Sequence, residues 1–134
     1  MKNHPIQLVK IDTKELSVVI NDLEITKKKN LEAQVTYKTG FHQFSVEEKV
    51  LTVGFKCLLN EDVDKAPFQL TVELIGIFTI GDEFPSDKIE SFAKGNAPLI
   101  LMPYIRESIY TLSSRTGLDI ILPLVQVPSR QKDV

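Results

Sequence analysis

The sequence predicts an α+β fold, in which a four-stranded antiparallel sheet is followed by two helices packed on one of its faces. Three observations carry this reading. Segments with period-2 apolar alternation crowd into the first 80 residues. Helical i, i+3/i+4 spacing begins only after Ser86. The chain switches once, from strands to helices, rather than alternating as a parallel α/β sheet requires.

Residues 6–25 read as the first strand. Ile6, Leu8, Leu16, Val18 and Ile20 keep a broken alternation, and Asp12-Thr13-Lys14 interrupts it as a bulge or kink would. Lys27-Lys28-Lys29-Asn30 is a solvated turn, since three lysines are too little charge for an anionic partner. Residues 31–38 alternate cleanly. Leu31, Ala33, Val35 and Tyr37 share one face, and Glu32, Gln34, Thr36 and Lys38 share the other. Thr39-Gly40 signals a turn. Residues 50–59 form the third strand, with Leu51, Val53, Phe55, Cys57 and Leu59 on one face. Residues 60–67 are an acidic loop. The fourth strand, residues 68–80, starts polar on one face and becomes apolar on both near Ile75 and Ile77. Gly76 within it marks a bulge or a close approach of backbone.

Ser86 is placed as the N-cap of a short helix that runs to Lys94 and stops at Gly95-Asn96. A second helix covers residues 98–114. Ile100 or Leu101, Tyr104, Ile105, Ile109 and Leu112 give its apolar stripe, and Gly117 ends it. Pro103 either starts this helix or kinks it. Residues 118–128 are apolar and extended, and 129–134 form a frayed polar tail.

Composition excludes several function classes. The 134 residues suit a single domain, 1–134, able to bury about two-thirds of its unfolded surface. Net charge is −2, with 16 basic and 18 acidic residues, so no basic face for nucleic acid is implied. The lone Cys57 cannot form an internal disulfide, which fits a reducing compartment. The start lacks a secretory h-region, and no apolar run nears the ~20 residues of a membrane helix. A cytoplasmic protein without membrane insertion is therefore expected. Chemistry-bearing residues are scattered. His4 lies at the terminus, His42 sits in a loop between Phe41 and Phe44, and Cys57 faces the core. They do not make a zinc site, and no phosphate loop or nucleophile elbow is present. Arg106-Glu107 reads as a helix-surface ion pair or an inter-subunit contact. No enzyme activity, metal or cofactor is expected.

The surplus is apolar surface. Leu99, Ile100, Leu101, Met102, Ile105 and Ile109 cannot all face one thin sheet. A homo-oligomer would bury the excess. An oligomer with a groove for apolar peptide segments would also use it.

Two stretches resemble the SecB family of protein-export chaperones. Gly76-Ile77-Phe78-x-Ile80 is similar to the family's Gly-Ile-Phe strand end. Pro98-x-Ile100-Leu101-x-Pro103-Tyr104-x-Arg106-Glu107-x-Ile109, followed by Ser114-Arg115, resembles its helix signature. The likeness is dense over residues 68–115 and colinear over residues 6–59. It implies an ATP-independent chaperone, a homodimer or a homotetramer built as a dimer of dimers. It implies apolar grooves that hold unfolded polypeptide, either export preproteins or an aggregation-prone antitoxin. The family's client-touching pair on the second strand matches Val35 and Tyr37. The candidate client-binding residues on this basis are Leu31, Ala33, Val35, Tyr37, Phe78, Leu122 and Leu124. The candidate oligomer interface is Ile100, Met102, Tyr104, Ile105, Arg106 and Ile109. Members that dock the SecA motor use acidic residues on the first and fourth strands. Of the matching positions, Glu15 keeps its charge, Val19 and Thr71 do not, and Gln69 replaces an apolar residue. SecA as a partner is left open, with Glu15 its candidate contact. The residues after Pro128 are too few for the family's last helix, which covers the groove. The rival reading is an oligomeric scaffold subunit bound to one folded protein.

Overall fold

The computed structural model describes residues 2–27 and 32–123. Four strands form one antiparallel sheet: β1 (Ile6–Ile20), β2 (Val35–Ser45), β3 (Val50–Leu59) and β4 (Phe68–Ile80). Their order across the sheet is β1-β4-β3-β2. Two α-helical segments follow, α1 (Ile89–Ser91) and α2 (Ala97–Ser114).

The two central strands fix the layer arrangement. Leu51, Val53, Phe55, Cys57 and Leu59 of β3 pair with Phe78, Gly76, Leu74, Val72 and Leu70 of β4. Residues opposite each other in a ladder share a face, so all ten point to one side. That side is covered by α2, whose Leu101, Met102, Ile105 and Ile109 are buried against it. Ile89, Phe92, Ala93 and Ala97 close the far end of the same face over Ile6, Leu51, Val53, Phe78 and Ile80. Gly76 sets how closely α2 approaches. A methyl placed there would meet Leu101 Cδ2 at 2.9 Å and Phe78 Cε1 at 3.1 Å. The close-approach reading of Gly76 thus holds, and its pairing with Ile11 and Val53 is free of a bulge.

Several boundaries differ from the sequence expectation. β1 ends at Ile20, not near residue 25, because Asn21 and Asp22 turn the chain. Both backbone N–H groups donate to the Pro67 carbonyl, and Asn21 Nδ2 donates to the Ala66 carbonyl. Leu23–Lys27 is then a 3-10 helix that buries Ile25. The interruption at Asp12-Thr13-Lys14 is a register shift between Thr13 and Glu15, and a second shift lies between Leu8 and Lys10. The triple-lysine turn and Leu31 fall outside the described residues except for Lys27, which ends the 3-10 helix.

Thr39-Gly40 is not a turn. β2 runs through it to Ser45, with a register shift between Thr39 and His42. Gly40 permits this because its Cα passes over the backbone of Gly54, whose carbonyl oxygen lies 3.2 Å from where a Cβ would stand. His42 is accordingly a strand residue opposite Val53, not a loop residue. The hairpin turn falls instead at Val46–Lys49, where Ser45 Oγ accepts from Glu48 N–H and Lys49 adopts φ 56°.

Asn60 organises the loop after β3. It sits at φ 60°, a conformation Asn tolerates better than most residues. Its Oδ1 accepts from Gln34 N–H at 2.9 Å, and its Nδ2 donates to the Phe68 carbonyl at 3.0 Å. One buried amide therefore ties the start of β2 to the start of β4.

The expected two helices are one right-handed run. Pro85, not Ser86, occupies the N-cap, without a side-chain cap, and Ser86–Lys88 is a 3-10 turn. Gly95-Asn96 does not stop the helix. Phe92–Asn96 is a π-helical turn leading directly into α2, and Ala97 N–H donates to the Phe92 carbonyl. Pro98 explains the widening. It has no N–H, and its ring would crowd the carbonyl four residues back in a regular α-helix. Pro103 lies inside α2 rather than at its start. Gly117, at φ 84°, ends the helix as expected. Leu118 N–H donates to the Ser113 carbonyl and Gly117 N–H to the Ser114 carbonyl, the pairing of a Schellman motif.

Gly76→Ala is expected to lower stability by about 1–3 kcal/mol, because the methyl overpacks a buried contact. Gly54→Ala adds a methyl beside the exposed ring of Phe41 and is expected to lose less. Urea midpoints for both variants check this ordering.

Candidate functional site

The candidate site is built on the helix-covered face of β2. Val35, Tyr37 and Thr39 lie opposite Leu59, Cys57 and Phe55, so the pattern that put Val35 and Tyr37 on one face is correct. α2 packs chiefly on β4, then on β3 and β1, and leaves β2 at the margin of its cover. Ala33, Val35 and Tyr37 are consequently half-buried, packed on the core at one side and open at the other. The Tyr37 ring stacks on Phe55 with centroids 6.0 Å apart and planes 6° from parallel.

Two polar atoms intrude into this apolar margin. Tyr37 Oη and Arg106 Nε are both buried, and neither has a hydrogen-bond partner among the described residues. Burial pushes the Tyr37 phenol above its ordinary value of 10.0. The Cys57 thiol adds to the push, and the nearby Arg106 guanidinium opposes it. The Arg106–Glu107 ion pair read from the sequence is absent among the described residues. Adjacent helix positions point about 100° apart, and Glu107 instead accepts from the Thr111 hydroxyl at 3.1 Å.

The other candidate residues separate into groups. Phe78 and Leu122 are fully sealed in the core of the chain, so a client reaches neither without moving α2 or the segment after it. Leu31 and Leu124 lie outside the described residues. Among the expected interface residues, Met102, Ile105 and Ile109 are buried against the chain's own sheet and offer no surface to a second copy. Ile100 and Tyr104 do face outward, 38% and 46% exposed. Tyr110, also 46% exposed, shares their outward side and was missed. Its signal was its helical phase, about 80° around the helix from Ile100 and on the side turned away from Ile105.

The opposite face of the sheet carries no helix, and the matched docking positions meet there. Glu15, Ser17 and Val19 of β1 lie opposite Glu73, Thr71 and Gln69 of β4. Glu15 does not stand as a free acid. Lys56 Nζ is 3.9 Å from a carboxylate oxygen of both Glu15 and Glu73, and Lys14 Nζ is 3.8 Å from Glu73. The charge of this face is balanced. Among the described residues no three His, Cys, Asp or Glu side chains converge on a metal-sized site, and no helix is long and apolar enough to cross a membrane.

A helix-covered antiparallel sheet in this order, with the Gly-Ile-Phe strand end pressed against a proline-containing helix, is a SecB-like fold. Residues 1–126 match the family described as preprotein translocase subunit SecB, and the chain belongs to that family. A curated relative, an uncharacterized protein of Methanocaldococcus jannaschii, is 26% identical over 127 residues, covering 90% of this chain and 79% of the relative. Among solved structures, a SecB-like chaperone of Mycobacterium tuberculosis in complex with a ChAD peptide from the HigA1 antitoxin is similar at a TM-score of 0.71. It is 17% identical, with 90% of this chain and 91% of that one covered.

Burial pushes the Cys57 thiol from 9.0 up to about 12. The unfolded chain therefore releases this proton first, and Tyr37 acts in the same sense, so stability is present below pH 9 and falls between about pH 9 and 12. Urea midpoints across this range should fall in the wild type and fall less steeply in Cys57→Val.

Proposed function

We propose that this chain is a chaperone of the SecB type that holds unfolded polypeptide without nucleotide. The observation that carries it is the half-buried apolar row of Ala33, Val35 and Tyr37 on β2, beside the helix and outside its cover. A packed single-use core has no reason to leave such a row open. Burying apolar client side chains there gains ~25 cal/mol per Å². The edge of β2 adds main-chain pairing for an extended segment. The outward-facing Ile100, Tyr104 and Tyr110 on α2 support oligomerisation as the second use of surplus apolar surface. Several weak grooves on one assembly then give tight binding with little sequence preference.

The client favoured is an aggregation-prone antitoxin rather than an export preprotein. The uncovered sheet face is charge-balanced around Lys56 and lacks the acidic platform implied for members that dock SecA. The similar Mycobacterium chaperone carries an antitoxin peptide.

The expected result is suppression of the aggregation of a chemically denatured protein on dilution, unchanged by added ATP. Val35→Asp with Tyr37→Asp should abolish suppression while circular dichroism and oligomer size stay as in the wild type. Equal suppression by the double variant rules out the β2 margin as the client site. Tight binding of one folded protein, with no suppression at all, favours a scaffold subunit instead.

A further inference from the structure

We propose that the cup at the end of the sheet, between the β2–β3 turn and the loop after β4, docks a basic amphipathic helix of a folded partner protein. The proposal goes beyond the chaperone reading, because the cup is built from other residues than the β2 margin and takes a different ligand.

Two segments form the rim. Residues 46–49 turn between β2 and β3, and residues 81–85 lead from β4 toward the helical run. Both are tied to the sheet end. The Ile80 N–H donates to the Lys49 carbonyl at 2.9 Å, and the Gly81 N–H donates to the Pro5 carbonyl at 2.7 Å. Between the segments is a cavity of about 550 Å³, the size of a ligand site. Phe44, Val46, Ile80, Phe84 and Ile89 give it an apolar lining. The Phe84 ring is fixed from behind by His4 and Phe92, with centroids 6.3 Å and 6.1 Å away. Ile80 and Ile89 are sealed in the floor, whereas Val46 stands 69% exposed at the lip. An apolar side chain held in water beside an apolar cup contributes little to folding and offers a contact to a partner.

The rim is acidic. Glu47, Glu48, Asp82, Glu83 and Asp87 lie on residues 46–49 and 81–88, against two bases, Lys49 and Lys88. The chain as a whole is nearly balanced, with 18 acidic and 16 basic residues, so the excess is local. All five acids are exposed. Across the rim Lys49 Nζ lies 3.9 Å from Asp82, a loose pair that leaves the Asp82 side chain 91% exposed. An apolar floor inside an acidic rim complements apolar side chains flanked by lysine or arginine.

The backbone decides the form of that ligand. The Ile80, Gly81 and Phe84 N–H groups beside the cup are already donated to the Lys49, Pro5 and Gly81 carbonyls. A ligand therefore gains from its side chains and not from main-chain pairing at these groups. A helix satisfies its own backbone and presents apolar side chains at i and i+4 on one face. Its basic residues then reach Asp82 and Glu83 on one side and Glu47 and Glu48 on the other. An unfolded client suits the cup less well, since it would have to order a helical turn first.

The test uses the full chain and a fluorescent helical peptide, capped at both ends, with leucine at i and i+4 and lysine at the flanking positions. By fluorescence anisotropy the wild type should bind this peptide saturably, and more weakly as salt rises. It should not bind the same peptide with glutamate in place of lysine. Asp82→Asn with Glu83→Gln should bind about tenfold more weakly and lose most of the salt dependence. Val46→Ser should bind several-fold more weakly with the salt dependence kept. Lys49→Gln should bind several-fold more tightly, because a competing base has been removed from Asp82. A rim with a merely structural role does not give these opposite signs. Urea midpoints and suppression of client aggregation should stay at wild-type values in all three. No binding of the lysine peptide, or equal binding of the glutamate one, overturns the cup. Displacement by excess denatured client, or loss of binding in Val35→Asp with Tyr37→Asp, overturns it by assigning the peptide to the client site. A changed oligomer size in Val46→Ser overturns it in favour of a second copy of the chain. A chain that binds the peptide yet never suppresses aggregation keeps the cup and overturns only the chaperone reading.

Discussion

The rest of the structure depends on the seating of α2 on β4 at Gly76. Without a side chain there, Leu101 reaches the sheet, and Ile105 and Ile109 follow one and two turns later onto the same face. This contact sets the height and line of the helix. It also sets what the helix does not cover. A single helix about 10 Å across cannot shield four strands spaced ~4.8 Å apart. Centred on β4, it leaves β2 at the margin.

The two prolines of the helical run are part of the same solution. Pro98 forces the widened turn at Phe92–Asn96, which lets the run cross from the end of the sheet onto its face without a loop. Phe92 stacks edge-on against both Phe78 and Phe84, so the turn is anchored where it bends. The bend and the close approach at Gly76 together hold α2 as a wall beside β2. A wall of fixed position defines the margin of β2 where client binding is proposed.

The sheet's two faces have divided roles. The covered face spends nearly all its apolar residues on the interior. The open face is kept soluble by ion pairs centred on Lys56, with Phe41 lying over Gly54 and beneath Lys14. Among the described residues apolar surface is left at the β2 margin and on the outward side of α2, and also at Val9, Leu16 and Val19 of β1 and at Leu23, Phe41, Val46 and Ile121. Tyr37 Oη and Arg106 Nε are buried at the foot of the β2 margin without a hydrogen-bond partner among the described residues. Stability is given up at the place where binding is proposed, the usual sign of a site shaped for something other than folding.

The sequence by itself determined the fold class, the face of each strand, the end of α2 at Gly117 and the pairing of Val35 with Tyr37 on one side. Each of these follows from local rules: period-2 alternation, helical spacing and the left-handed tolerance of glycine. Tertiary structure decided the rest. Gly40 reads as a turn because glycine permits one, yet the strand continues because its missing side chain lets β2 pass over Gly54. Gly95-Asn96 reads as a stop, yet the helix continues because Pro98 can be accommodated by a wider turn. Ile105 and Ile109 could not be sorted from Ile100 and Tyr104 as core or surface, since that depends on how far the sheet reaches beneath the helix. The orphaned donors of Tyr37 and Arg106 were invisible for the same reason. Whether a polar atom is buried without a partner is a property of two elements brought together, and periodicity along one chain segment carries no record of it.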